Sequence, residues 1–261
     1  MRLKLNLSAG SASTLPINFQ YPMSAAIYKI LGKADGEFAE LLHSKGYGKG
    51  FKLFTFSQID VPFKVIGDRM KLLQNEANIL ISFHLPQAME HFIAGLFQSE
   101  RIEIGDNKSK MNFYIKSLEL QKDPLAAFKG NEIIKTRLVL KSPIVAGVPN
   151  EKGNYVFLSP DNDDFVDCLK YNWNSKILTC FKDEGITNPL LFMKVLPSNR
   201  PFKPRLVIIK ANTPQETKIK GWLNFELEVQ AEKRFIELLL NAGCGIYNSL
   251  GMGCVEVRNS I

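Results

Sequence analysis

The order in which apolar spacing switches between two and three-to-four constrains this chain more than any single residue does. Residues 2–7 alternate, with Leu3, Leu5 and Leu7 on one side and Lys4 and Asn6 on the other. That is the period of a half-buried strand. Helical spacing begins at Tyr21, with Ile27, Tyr28 and Leu31 as face residues. Beyond Gly32 and Asp35-Gly36, residues 37–43 form a second short helix that turns Phe38, Leu41 and Leu42 inward. Residues 51–57 and 78–83 read as strands. Pro86 then opens a helix, as a first-turn proline can, with Met89, Phe92, Ile93, Leu96 and Phe97 on its face. Strands at 101–104 and 111–120 complete β-α-β-β-α-β, the ferredoxin-like order.

The second half repeats that order without a strict sequence repeat. A linker covers 123–130, and a strand covers 133–140. Ser159-Pro160-Asp161 opens a helix carrying Phe165, Leu169, Trp173 and Ile177. Strands follow at 190–196 and 205–210. Residues 217–227 alternate again, through Ile219, Gly221, Leu223, Phe225 and Leu227. A last apolar helix and a short strand end the pattern. The expected fold class is therefore α+β: two tandem ferredoxin-like (RRM-like) domains, 1–123 and 130–261, the second carrying a C-terminal glycine-rich loop. A chain of 261 residues, 45% apolar, can bury two such cores.

The glycines of that loop are Gly243, Gly245, Gly251 and Gly253, two G-x-G pairs between a helix faced by Phe235, Ile236, Leu239 and Leu240 and the final strand. Gly243 suits a helix C′ position. Four glycines exceed what one cap requires. Either backbone must come close to a ligand such as a phosphate or base, or the glycines make a tight helix-to-strand connection. Lys and Arg outnumber Asp and Glu by 33 to 26, a net charge of +7 that favours an anionic partner, nucleic acid or a membrane surface. The most basic stretch holds Lys194, Arg200, Lys203, Arg205 and Lys210, kept extended by Pro197, Pro201 and Pro204. It reads either as an RNA-binding segment, extended by Lys45, Lys49, Lys218 and Lys220, or as a solvated hairpin.

Other chemistries find little support. Cys168, Cys180, Cys244 and Cys254 form no C-x-x-C pair, and His43, His84 and His91 lie far from them in sequence, which argues against zinc. Ser and Cys nucleophile motifs are absent. Asp161-Asn162-Asp163-Asp164 reads as a charged helix start rather than a divalent site. His84 and His91 read as structural. With no leader and no membrane-spanning run, the expected setting is the cytoplasm, with free thiols.

Ala242-Gly243-Cys244-Gly245, a short polar spacer, Gly251-Met252-Gly253 and a final strand resemble the glycine-rich tail of the RAMP superfamily. More closely, the chain resembles the CRISPR-associated endoribonucleases that cut precursor CRISPR RNA within its repeats. Ala26-Ile27-Tyr28, Leu41-Leu42-His43 and Phe51-Lys52-Leu53-Phe54-Thr55-Phe56-Ser57 carry the rest of the likeness. The middle of the chain matches weakly, apart from Ser142-Pro143-Ile144.

The resemblance implies that Tyr28, His43 and Lys52 are catalytic. Gly243, Gly245, Gly251 and Gly253 would bind repeat RNA together with Lys194, Arg200, Lys203 and Arg205. It implies no metal and no cofactor. The partners would be CRISPR repeat RNA and, beyond it, an effector complex, with the protein a monomer or homodimer. The residue types suit the reaction. RNA carries its own 2′-OH nucleophile. Histidine, with an ordinary pKa of about 6.5, serves as acid or base at neutral pH. A fixed ammonium balances developing phosphate charge, and a phenol positions the phosphate or donates to it. The products would be a 2′,3′-cyclic phosphate and a 5′-hydroxyl. A repeat-binding protein without catalysis is the rival, although such a protein has no need of His43. A ferredoxin-like module with no RNA role is a third reading.

Overall fold

A computed structural model describes residues 1–10, 14–99, 101–151, 153–210 and 213–258. Residues 259–261 of the expected second domain lie outside the described residues. The opening alternation becomes β1 (Arg2–Ala9), with Leu3, Leu5 and Leu7 buried on one side. β2 (Thr14–Pro16) leads into α1 (Gln20–Ala34) and α2 (Gly36–Ser44). The break between these helices is a cap. Asp35 is extended, and its carboxylate accepts from the Phe38 backbone N–H at 2.9 Å, which starts a new helix. Then come β3 (Phe54–Phe56), β4 (Phe63–Ile66), β5 (Arg69–Leu72), β6 (Glu76–Phe83), α3 (Pro86–Phe97), β7 (Ile102–Gly105) and β8 (Lys110–Leu120).

β3, β6, β1, β8 and β7 lie side by side in one antiparallel sheet. Leu5, Ile27, Phe83 and Phe92 show how its apolar side is covered by α1 and α3. β2, β5 and β4 form a separate small sheet. Its strands are three or four residues long, too short to announce themselves by periodicity.

The second half contains β9 (Ile133–Leu140), β10 (Ala146–Pro149), β11 (Tyr155–Leu158), α4 (Asp164–Cys180), β12 (Phe192–Pro197), β13 (Lys203–Ile209), β14 (Thr217–Leu223), β15 (Phe225–Glu232), α5 (Lys233–Ala242) and β16 (Val255–Val257). β12, β15, β9 and β16 make the second antiparallel sheet, while β10–β11 and β13–β14 are separate hairpins. The alternation over 217–227 is therefore two strands, not one. Asn224 sits between them in the left-handed region at φ 68°, so that β14 pairs with β13 and β15 joins the sheet. Asparagine tolerates that backbone better than most residues. The turn preserves the alternation, which hides it from a period-two reading.

Setting aside β7, both sheets carry their strands in the order second, third, first, fourth, consistent with two ferredoxin-like halves. α5 lies between the sheets, against β15 and β16 on one side and β3 and β6 on the other. This explains why Leu238 is buried along with Phe235, Ile236, Leu239 and Leu240: a helix covered from two sides has a broad apolar face, here leaving a polar stripe of Lys233, Glu237 and Asn241. The Trp173 indole donates to the Phe235 carbonyl at 2.8 Å and ties α4 to α5. No described helix is long and apolar enough to cross a membrane.

Candidate active site

Tyr28 is half-buried on α1, and His43 is exposed in the last turn of α2. The cap at Asp35 folds the second helix back so that the two rings meet edge to face, centroids 4.8 Å apart at 87°. Tyr28 also edges onto Phe54 at 5.5 Å. Burial lifts the pKa of its phenol well above the usual tyrosine range, partly opposed by the Ser249 hydroxyl facing it. The phenol therefore keeps its proton at neutral pH.

Lys52 arrives by a tight return. Tyr47 and Phe51 exchange backbone hydrogen bonds of 2.8 Å, and the chain doubles back toward α2. The Lys52 ammonium donates to the His43 carbonyl at 2.7 Å, and burial holds its pKa below the usual lysine range. Leu53 follows at φ 54°, a left-handed backbone that costs an L-residue roughly 1–2 kcal/mol. The twist sends Leu53 into the second hydrophobic cluster, while Phe54 and Phe56 enter the first. It also cuts the strand expected over 51–57 down to 54–56.

The glycine-rich tail meets this ledge directly. Thr55 Oγ1 donates to the Met252 carbonyl at 2.9 Å, and a guanidinium nitrogen of Arg2 donates to the Val255 carbonyl at 3.0 Å. Gly251, at φ 71°, packs flat on Phe56, where a Cβ would collide with the ring. Gly253, at φ 70°, leaves no room between its Cα and the Cys244 carbonyl. Gly243 and Gly245 are buried as well, and their carbonyls accept from the Lys176 ammonium at 2.7 and 3.1 Å. All four glycines are thus explained by close approach of protein to protein. The loop they shape offers side chains, Ile246, Tyr247 and Ser249, to the space outside.

Ser142-Pro143-Ile144-Val145, just after β9, clasps the loop from the other side. Gly253 N–H donates to the Pro143 carbonyl at 2.7 Å, Cys254 N–H to Ser142 Oγ at 2.8 Å, and Ile246 N–H to the Val145 carbonyl at 3.0 Å. A cleft of about 860 Å³ opens beside the loop. Lys49, Phe51 and Lys52 form one wall, Tyr155 and Tyr171 another, and Tyr247 and Ser249 the tail side.

The basic segment stands apart, because none of Lys194, Arg200, Lys203 and Arg205 lines that cleft. Lys194 is exposed on β12, opposite Glu228 of β15, while Arg200 and Lys203 are exposed at the turn into β13. Arg205 is partly committed, donating to the Ile17 carbonyl at 2.7 Å, and burial lowers its pKa. His84 is packed between the halves with Nδ1 unpartnered, and burial, aided by the nearby N-terminal ammonium, pushes its pKa down to about 4. His91 lies 3.6 Å from the Asp35 carboxylate and against Phe38. In the acidic run, Asn162 Oδ1 accepts from Asp164 N–H at 2.9 Å at the head of α4. Lys176, Asn248 and Ser249 carry no signal in the sequence. The first reads as one more lysine on an amphipathic helix, the others as spacer.

The family model for "CRISPR associated protein Cas6, C-terminal" matches residues 118–257, and that for "CRISPR-associated protein Cas6, N-terminal" matches residues 14–119. The CRISPR-associated endoribonuclease Cas6 1 of Methanocaldococcus jannaschii is 28% identical over 262 residues, covering 98% of this chain and 92% of that protein. A structure of a Cas6-related protein from Pyrococcus furiosus superposes with a TM-score of 0.78 at 20% identity, over 100% of this chain and 99% of the other. A structure described as a RAMP protein binding different RNA substrates gives 0.77 at 22% identity, over 99% and 100%. With a family model spanning more than half its length, the chain belongs to the Cas6 family of CRISPR-associated RAMP endoribonucleases.

Proposed function

We propose that this protein cuts precursor CRISPR RNA within its repeats, without a metal, by attack of a ribose 2′-OH on the adjacent phosphate. The observation that supports this reading is that Tyr28 and His43 meet edge to face and Lys52, bonded to the His43 carbonyl, also lines the cleft beside the glycine-rich tail. His43, the exposed member, takes the 2′-OH proton. Tyr28 retains its phenol proton and donates it toward the phosphate or the departing 5′-oxygen. Lys52 spends one donor on the His43 carbonyl, which leaves two for a phosphate oxygen. The products are a 2′,3′-cyclic phosphate and a 5′-hydroxyl.

In this reading residues 1–123 act as the catalytic domain and 130–261 as the RNA-holding domain. Gly243, Gly245, Gly251 and Gly253 serve RNA binding through the loop they shape, since each is buried. Exposed Lys194, Arg200 and Lys203 contact the RNA backbone away from the cut. Arg205 joins them with the donors left over from Ile17.

The test is single-turnover cleavage of the cognate repeat RNA in excess chelator, with both new ends mapped. His43→Ala should slow cutting by roughly 10²–10⁴-fold, the usual worth of a general acid or base, with RNA affinity held within a few-fold. A His43→Ala protein that cuts at the wild-type rate would falsify the assignment. A wild-type protein that binds the repeat and never cuts it would instead be a non-catalytic repeat-binding protein.

A further inference from the structure

We propose that the cleft beside Lys52 is a subsite for unpaired nucleobases of the repeat RNA, which stack on Tyr155 and Tyr171 while the Lys49 ammonium takes a backbone phosphate. This rests on the repeat-cutting reading above and adds to it what the cleft holds.

α4 shows one face to the core and another to the cleft. Phe165, Leu169, Trp173 and Ile177 are buried, whereas Asp164, Asp167, Tyr171 and Ser175 line the cleft at helical spacing. The Tyr171 ring is 66% exposed and joins none of the hydrophobic clusters of the described residues. Lys49 reaches it from the tight return that also delivers Lys52. Its ammonium donates to the Tyr171 hydroxyl at 3.1 Å and to Ser175 Oγ at 3.4 Å, and lies 5.0 Å from the centre of the Tyr171 ring. Gly48, at φ 53°, seats that return on α4, because a Cβ there would meet Thr179 Oγ1 at 2.5 Å. The ammonium is thus held at the cleft wall with a third N–H to spare.

The facing wall is also built for a ring. Tyr155 and Phe157 leave β11 on the same side, over Gly147 of β10, where a Cβ would come within 3.2 and 3.3 Å of them. Their rings stack at 6.4 Å and 20°. Phe157 packs on the third hydrophobic cluster, but Tyr155 stays 43% exposed. Tyr247 braces Tyr155 edge-on, at 6.1 Å and 73°. The backbone of Tyr247 is left-handed, at φ 60°, a conformation that persists only where surrounding contacts enforce it. The buried Lys176 ammonium enforces it. It accepts the cost of burial among neutral oxygens and pins both flanks of Tyr247, through Gly245 O at 3.1 Å and Asn248 Oδ1 at 2.6 Å.

Exposed aromatic rings beside a fixed cation suit a base and its phosphate. A paired helix hides its base faces, so the ligand is unpaired RNA. Asp164 and Asp167 repel a run of phosphates but accept from base N–H groups, so base edges rather than backbone face the first turn of α4.

The test is equilibrium binding of the cognate repeat RNA in chelator, with a 2′-deoxy sugar on the 5′ side of the cut so that bound RNA stays whole. A companion series removes one base at a time, leaving an abasic site at each unpaired nucleotide. Wild type is compared with Tyr171→Leu, Tyr155→Leu, Lys49→Met and the ring-keeping Tyr171→Phe and Tyr155→Phe, with thermal midpoints to show that each folds. Each leucine variant should bind intact RNA roughly 5- to 150-fold more weakly, the worth of one stacked base, and each phenylalanine variant within about threefold of wild type. At one position, losing the base should cost wild type a similar factor but the matching leucine variant less than about twofold, because base and ring form one interaction. Lys49→Met should flatten the log–log dependence of affinity on salt by about 0.7, the share of one single-stranded phosphate. The subsite is overturned, with the cleavage reading left standing, if the leucine variants bind like wild type, if no single base removal weakens wild-type binding, or if base and ring losses multiply at every position. A wild-type protein that binds and never cuts overturns the cleavage reading instead, and the abasic series, which requires no cutting, still reads the subsite.

Discussion

On the α1–α2 side of the site, His43 is exposed and Tyr28 half-buried, and Gly32 has room for a Cβ. On the tail side, the residues from Gly243 to Gly253 are wrapped around Lys176 and Asn248, and the four glycines have protein atoms where a Cβ would go. His43 thus stands open to solvent, while the loop on the tail side is fixed from several directions. On the proposed reading, such a site keeps its proton-transfer groups accessible and relies on a rigid neighbour to set their geometry.

One substitution type probes both sides. Gly253→Ala should have the largest effect, because a Cβ there runs into the Cys244 carbonyl in a left-handed backbone. We expect a loss of roughly 3–5 kcal/mol in urea unfolding, or no soluble protein at all. A loss below about 1 kcal/mol would show the tail to be as forgiving as the ledge. Acid should loosen the seam between the halves next. His84 has a folded pKa of about 4 against an ordinary 6.5, so the unfolded chain binds the extra proton and stability falls as pH drops through that window. Between pH 7 and 5 the His84 share of the loss should be about 2 kcal/mol, and His84→Leu should remove that share while leaving the contribution of the Met1 ammonium, whose pKa burial lowers to about 6.

Thr55→Val cuts the hydrogen bond that joins ledge to tail. It should cost about 1 kcal/mol, because the Met252 carbonyl keeps its bond from Asn248. Smallest, and opposite in sign, is Gly32→Ala on α1, where a Cβ meets nothing closer than Ala39 at 3.7 Å. It should stabilise the protein by about 0.5–1 kcal/mol with cleavage unchanged. Destabilisation at Gly32 would mean that the α1–α2 side is packed as tightly as the tail.

The parts of this molecule that were legible as sequence are those whose physics is local. Leu3, Leu5 and Leu7 announce a strand, and Phe92 and Leu96 announce a helix face, because burial on one side imposes a period. Tyr28, His43 and Lys52 could be named from motif likeness, and in the fold they stand together. Features decided by contacts distant in the chain stayed hidden. Leu53 breaks its strand because the second core claims its side chain, 72 residues before Leu125 of that same cluster. Asn224 interrupts an alternation that continues unbroken across it. Lys176 is a buried ammonium in a helix pattern that predicts a solvated lysine, and only the tail folded over it explains its place. The glycines were legible as a requirement for close approach, but sequence alone could not say that the approaching atoms are the protein's own.

The late place of the tail in the chain also has a consequence for synthesis. The ribosome delivers Tyr28, His43 and Lys52 between 197 and 221 residues before it delivers Ser249, a delay of roughly ten to forty seconds at ordinary elongation rates. During that interval a nascent chain carries Tyr28, His43 and Lys52 while the cleft still lacks its tail wall. Cutting competence should therefore switch on late, after the tail has emerged, so that an incomplete polypeptide tethered to its own message is not yet a nuclease.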